Sequence, residues 1–190
     1  MKKILIATLF LVNVVAFAQV THRPLYVYNY TQFEVEFQIN TVEESGDWGD
    51  YPILKSDNTY VINPYSNFEK VNLSVDGVAF AAPSTPAIST WDRKTSSTAS
   101  WITTPPTVAQ AVFGPTQKWH FIKKELQDNG LGSYLNGNVG FPGNSQFASF
   151  DEETLGAPYN VTINVEWFEV TDNSDPANII ITTYILFTEF

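Results

Sequence analysis

Hydrophobic and polar residues alternate between Phe33 and Asn40. Phe33, Val35, Phe37 and Ile39 fall on one side, and Glu34, Glu36, Gln38 and Asn40 on the other. A period of two is the mark of a half-buried β-strand. Leu25 to Tyr30 predicts another strand just before it, with a turn in Asn29 to Gln32; the alternative is one long bent strand. Near the C-terminus, Val161, Ile163, Val165 and Trp167 alternate with Thr162, Asn164 and Glu166. The run Ile179 to Phe190 is apolar on both faces, with Ile179, Ile181, Ile185 and Phe187 against Ile180, Tyr184 and Leu186. A strand of that kind is expected at the centre of its sheet or between layers. The turn-formers TDNSDPAN between the two runs predict a hairpin with an acidic loop.

Between these ends the pattern is shorter in period. Strands are expected at Thr59 to Ile62, Glu69 to Val75, Val78 to Phe80, Lys118 to Leu126 and Gln146 to Phe150. Asp76-Gly77 and Asn136-Gly137 read as tight hairpin turns, because such pairs tolerate positive φ. VEESGDWGDYP and DEETLGAP read as loops. Ala81 to Thr116 is rich in Pro, Ser, Thr and Ala, with Trp91, Trp101, Ile102, Val108, Val112 and Phe113 interspersed. It reads as short edge strands in Pro-rich loops, its degree of order left open. No repeat, heptad or amphipathic helix stands out. The expectation is an all-β chain: a single β-sandwich, jelly-roll or immunoglobulin-like, of about eight to ten short antiparallel strands.

The first residues are of another kind. Lys2 and Lys3 precede an apolar run from Ile4 to Phe17, and Ala16-Phe17-Ala18 fits a small-x-small cleavage pattern. This predicts a signal peptide over residues 1–18 and a single domain over 19–190, exported by a bacterium as a secreted, periplasmic or outer-surface protein. Cysteine is absent from the chain, so the fold must hold without disulfides, and thiol catalysis and thiolate metal sites are excluded. Loss of residues 1–18 removes two lysines and no acid, taking the net charge from −10 to −12. That balance argues against nucleic acid and against an anionic membrane surface.

Few residues invite chemistry. His22 and His120 are the only histidines, too few for a multi-histidine metal site. No HExxH, GxSxG or dinucleotide fingerprint occurs. Glu34 and Glu36 share a strand face at a spacing two glycosidase carboxylates could use, yet a solvated strand face is the ordinary reading. Asp172 and Asp175, and the Asp151-Glu152-Glu153 run, offer hard oxygen ligands that calcium could take, although acidic turns usually hold no metal. No other cofactor is indicated.

Aromatic residues in loop-like segments remain: Trp48, Tyr51, Trp91, Trp101 and Tyr134, with Tyr65 and Phe141 of the same kind. Such rings stack on sugars or anchor partners, or else cap the ends of a sandwich. The sequence therefore points to an exported, non-enzymatic binding or structural surface module, with a glycan or another surface protein as partner. The alternative is a small eight-stranded outer-membrane barrel, suggested by the mature length, the export signal and the terminal Phe190. Charged residues on both faces of KWHFIKKEL and the two-sided apolar last strand oppose it. A glycan-active enzyme on a jelly-roll scaffold comes third.

Overall fold

The C-terminal runs pair as neighbouring antiparallel strands, β11 (Val161–Asp175) and β12 (Asn178–Glu189). Val165 stands opposite Phe187 and Trp167 opposite Ile185, so two β-branched residues and two aromatic rings share one face, all of them at most 1% exposed. The computed structural model describes residues 20–43, 46, 49–57, 59–74, 90–113, 117–128, 132–143 and 145–190. The expected signal peptide and the expected Asp76-Gly77 turn lie outside the described residues. No helix among the described residues is long and apolar enough to cross a membrane.

The protein is mostly β, in two sheets that do not close into a barrel, an arrangement consistent with a β-sandwich. One sheet has five strands. β12 is its middle strand, flanked by β11 and by β1 (Val20–Tyr30), with β10 (Phe150–Leu155) and β5 (Ser66–Ser74) at the edges. β1 runs parallel to β12, with Leu25 beside Thr183 and Val27 beside Ile185. The other sheet follows the order β7 (Ile102–Thr104), β6 (Trp91–Lys94), β3 (Ile53–Ser56), β2 (Glu34–Glu43), β8 (Gln117–Asp128) and β9 (Gly132–Gly140). β4 (Tyr60–Ile62) also pairs with β2. A short helix, α1 (Pro106–Phe113), follows β7.

β1 and β2 are separate strands in different sheets, so the chain changes layer at residues 31–33. Asn29 holds that corner. Its buried amide donates to the carbonyls of Phe33 at 2.7 Å and Asn63 at 3.1 Å, while its oxygen accepts from Thr31 N at 3.0 Å. Both sheets feed one apolar core, to which Phe33 and the β2 residues Val35, Phe37 and Ile39 contribute as the alternation predicts. Specific contacts also tie the layers together. Trp119 Nε1 on β8 donates to the Arg23 carbonyl on β1 at 2.9 Å, the Tyr159 hydroxyl donates to Asp128, and Phe33 meets Tyr159 edge-on at 5.0 Å. Each fully buried aromatic or aliphatic side chain contributes roughly 1.5–3 kcal/mol.

Several expectations change. The acidic segment 171–175 is part of β11, leaving only Pro176-Ala177 as a turn. DEETLGAP begins as strand β10, while 145–149 are irregular. The expected edge strands of the Pro-rich region exist as β6 and β7, but α1 was not anticipated, and neither was β3. Asn136-Gly137 is not a hairpin turn: it lies inside β9, opposite Glu125 and Lys124.

An ion pair lies beside that glycine. Lys124 points into the space between the sheets, its side chain fully buried, and its ammonium lies 2.7 Å from Oδ2 of the 41% exposed Asp151 on β10. The approach is an ion pair poorly directed for a hydrogen bond. A Cβ on residue 137 would stand 3.4 Å from Lys124 Nζ and 3.6 Å from Asp151 Oδ2, in ordinary contact with both. Asp151→Ala is expected to strand the buried ammonium and cost about 3 kcal/mol, whereas Lys124→Met, removing the charge itself, should be neutral or stabilising. Chemical denaturation of both variants checks this; equal losses would mean the Lys124 ammonium is not buried as described.

Candidate functional site

The residues singled out in the sequence scatter over the molecule. Trp48 lies outside the described residues, and so does the side chain of Tyr134 on β9. Tyr51 is half-buried in the bend before Pro52. Trp91 on β6 is 0% exposed and belongs to the core, so its ring offers no free face to a ligand. Of the named tryptophans within the described residues, only Trp101 reaches solvent, at 41% exposure. Tyr65 is exposed but engaged: its hydroxyl donates to Glu189 Oε1 at 2.7 Å, while its φ is 54°. His120 is buried on β8 among the rings of Phe121, Phe141 and Phe147.

The carboxylates are similarly dispersed. Glu34 and Glu36 do share the outer face of β2, but the residue directly opposite Glu36 is Glu125 and that opposite Glu34 is Gln127. Glu36, Gln38, Thr59, Lys123 and Glu125 border a shallow depression of about 120 Å³. Among the described residues no three His, Cys, Asp or Glu gather as metal ligands. Asp172 and Asp175 instead organise their own hairpin end. Asp172 Oδ1 accepts from Ser174 N at 2.9 Å; Asp175 accepts from Asn178 Nδ2 at 2.7 Å and Ala177 N at 2.9 Å.

A larger feature comes from aromatic residues on β1, β11 and β12, of which Tyr184 was expected on one face with Ile180 and Leu186. LYVYNY sets Tyr26, Tyr28 and Tyr30 at alternate positions of β1, on the face opposite Leu25 and Val27. The parallel register sets Tyr26 beside Tyr184 of β12, and the antiparallel register sets Tyr184 beside Phe168 of β11. The rings run in one series: Phe168 to Tyr184 at 5.1 Å, Tyr184 to Tyr26 at 5.5 Å, Tyr26 to Tyr28 at 6.4 Å and Tyr28 to Tyr30 at 5.9 Å. Interplanar angles are 17°, 16°, 14° and 6° in the same order.

Near-parallel rings at such centroid distances are offset from one another, the favourable arrangement for aromatic pairs. Burial, and then the neighbouring phenols of Tyr30, Tyr184 and Tyr26, push the Tyr28 phenol above its usual range. Leu186 flanks the series, and Val170 and Ile180 extend it with 51% and 38% exposure. Glu152, Glu166 and Asp172 occupy the same face by register, with no lysine or arginine among its described side chains.

The outer face of the seven-stranded sheet is polar by comparison. Its registers align Phe121, Asn40, Lys55, Asp92 and Thr103 in a row across five strands. No protein-family model, curated protein or solved structure matches this chain.

The hairpin end gives a pH test. Hydrogen bonds from Ser174 hold the Asp172 carboxyl below its ordinary range, and those from Asn178 and Ala177 do the same for Asp175. A lowered folded-state value means a contribution present above the usual aspartate range and lost as pH falls through the folded value. A carbon-detected NMR titration should find both midpoints below the ~3.9 of a free aspartate. Midpoints at or above it would show that these turn bonds do not persist in solution.

Proposed function

We propose that this chain is an exported, non-enzymatic module that acts by binding, with the tyrosine face of the five-stranded sheet as its recognition surface. The observation that carries the reading is the series Phe168, Tyr184, Tyr26, Tyr28 and Tyr30, five rings across three adjacent strands on a face that the two described layers leave open. Tyrosine supplies rigid amphipathic contact area at low entropic cost, the reason it is favoured in recognition surfaces. Spread over three strands, with Leu186, Val170 and Ile180 beside the rings, this face suits a protein surface better than a single sugar ring. A second surface protein is the partner class it favours. Glycan recognition attaches instead to the exposed indole of Trp101.

The depression beside Glu36, at about 120 Å³, is small beside the ~300–1,000 Å³ of ordinary ligand pockets. Among finer fold classes, jelly-roll and immunoglobulin-like sandwiches are both built on antiparallel pairs, and the parallel β1–β12 pair departs from that pattern.

Removing two rings from the middle of the series tests the proposal. A Tyr28→Ala/Tyr184→Ala variant should remain folded by circular dichroism and bind isolated cell envelopes of the producing bacterium at least about tenfold more weakly, given the typical cost of truncating interface tyrosines. Unchanged binding by a folded double variant would move recognition elsewhere. No envelope binding by the unaltered protein would remove the reading.

A further inference from the structure

We propose that the Trp101 edge of the seven-stranded sheet is a subsite for an acidic polysaccharide, one whose sugars carry carboxylate or sulfate groups. This rests on the glycan reading of Trp101 and adds the class of sugar. Trp101 directly precedes the edge strand β7. Across the neighbouring strands Lys55 stands opposite Asp92, and Lys94 opposite Ile53, so both lysines lie on one face of the sheet. Their ammonium groups converge on the indole, Lys55 Nζ at 4.9 Å and Lys94 Nζ at 6.0 Å from its centroid.

Two like charges gathered on one ring repel each other, and the ring's quadrupole offsets only part of that repulsion. The protein's acids do little to relieve it, although they outnumber the bases 20 to 10. Asp92 is 3.7 Å from Lys55 and also accepts a hydrogen bond from Thr103 at 2.9 Å. Lys94 has no carboxylate partner among the described residues. The arrangement is short of an anion, and a carboxylate or sulfate between the two ammonium groups would supply it.

The surroundings identify what carries that anion. The indole is 41% exposed and gives a sugar ring an apolar surface to lean on. The adjoining segment 95–100 is solvent-exposed apart from a half-buried Ala99, and holds the hydroxyls of Ser96 and Thr98. A bare polyphosphate is a poor match, because it offers the exposed indole no sugar ring to meet.

Affinity electrophoresis and calorimetry of the purified chain against polygalacturonate, dextran sulfate, neutral laminarin and dextran, a DNA duplex and phosphatidylserine vesicles test this. The expected result is binding to polygalacturonate or dextran sulfate that weakens as salt rises from about 50 to 200 mM. Lys94→Gln and Trp101→Ala should each weaken it by about tenfold or more, while Lys94→Arg retains most of it. Both side chains are surface groups, and circular dichroism confirms that the variants fold. Binding to neutral glucans alone would overturn the charge assignment and leave the glycan reading standing. Binding to no polysaccharide would overturn both. Equal or tighter binding to DNA or vesicles would replace the sugar site with a general anion surface.

Discussion

The register of β12 decides which side chains of the five-stranded sheet become core and which become surface. Its odd positions, Thr183, Ile185 and Phe187, are buried against the other layer, while its even positions, Tyr184 and Leu186, stand on the opposite face. Because side chains alternate along a strand, a slip of one residue would exchange the two sets. The register is pinned from both sides, by the antiparallel partner β11 and the parallel partner β1. Both partners repeat the division: Trp167 inward and Phe168 outward on β11, Val27 inward and Tyr28 outward on β1. The tyrosine series is thus a consequence of the core, since the pairing that buries Ile185 and Phe187 also brings Tyr184 beside Tyr26 and Phe168.

The space between the sheets carries a second constraint. A lysine in an apolar interior costs free energy unless a charge meets it, and Lys124 is met from the opposite layer by Asp151 at 2.7 Å. The contact links β8 to β10 and passes beside Gly137. Pairs of this kind add little net stability, but they penalise any arrangement that separates the partners. Here that means any sliding of the β10 edge relative to β8 and β9.

Period-two alternation made much of the architecture legible. Phe33 to Ile39 and Val161 to Trp167 gave their buried faces directly, and the two-sided apolarity of Ile179 to Phe190 correctly marked a central strand. That apolarity also suggested cover on both faces, whereas the outer face carries a ring series that shields itself by stacking. Asn136-Gly137 misled because the same pair can lie inside a strand, and only the pairing of β9 with β8 tells the two apart. Asp172 and Asp175 looked like a loop because the backbone bonds their carboxylates make at a strand end are the same ones they make in turns. For the surface, position in a loop-like segment did not decide exposure. Trp91, in a Pro-rich region, is core, Trp101 reaches solvent, and Tyr30 of a plain strand is exposed. The alternate spacing in LYVYNY was the available signal, readable only once Leu25 and Val27 are assigned to the inside.

The central claim is that the even positions of β1 and β12 form an open aromatic face while their odd positions are core. Hydroxyl-radical footprinting read residue by residue by mass spectrometry tests it most directly. Tyr30, Tyr184 and Val170 should be oxidised readily in the folded protein, and Trp91, Trp119 and Trp167 should be protected until it unfolds. Protection of Tyr30 and Tyr184 equal to that of Trp167, or ready oxidation of Trp167, would contradict the account.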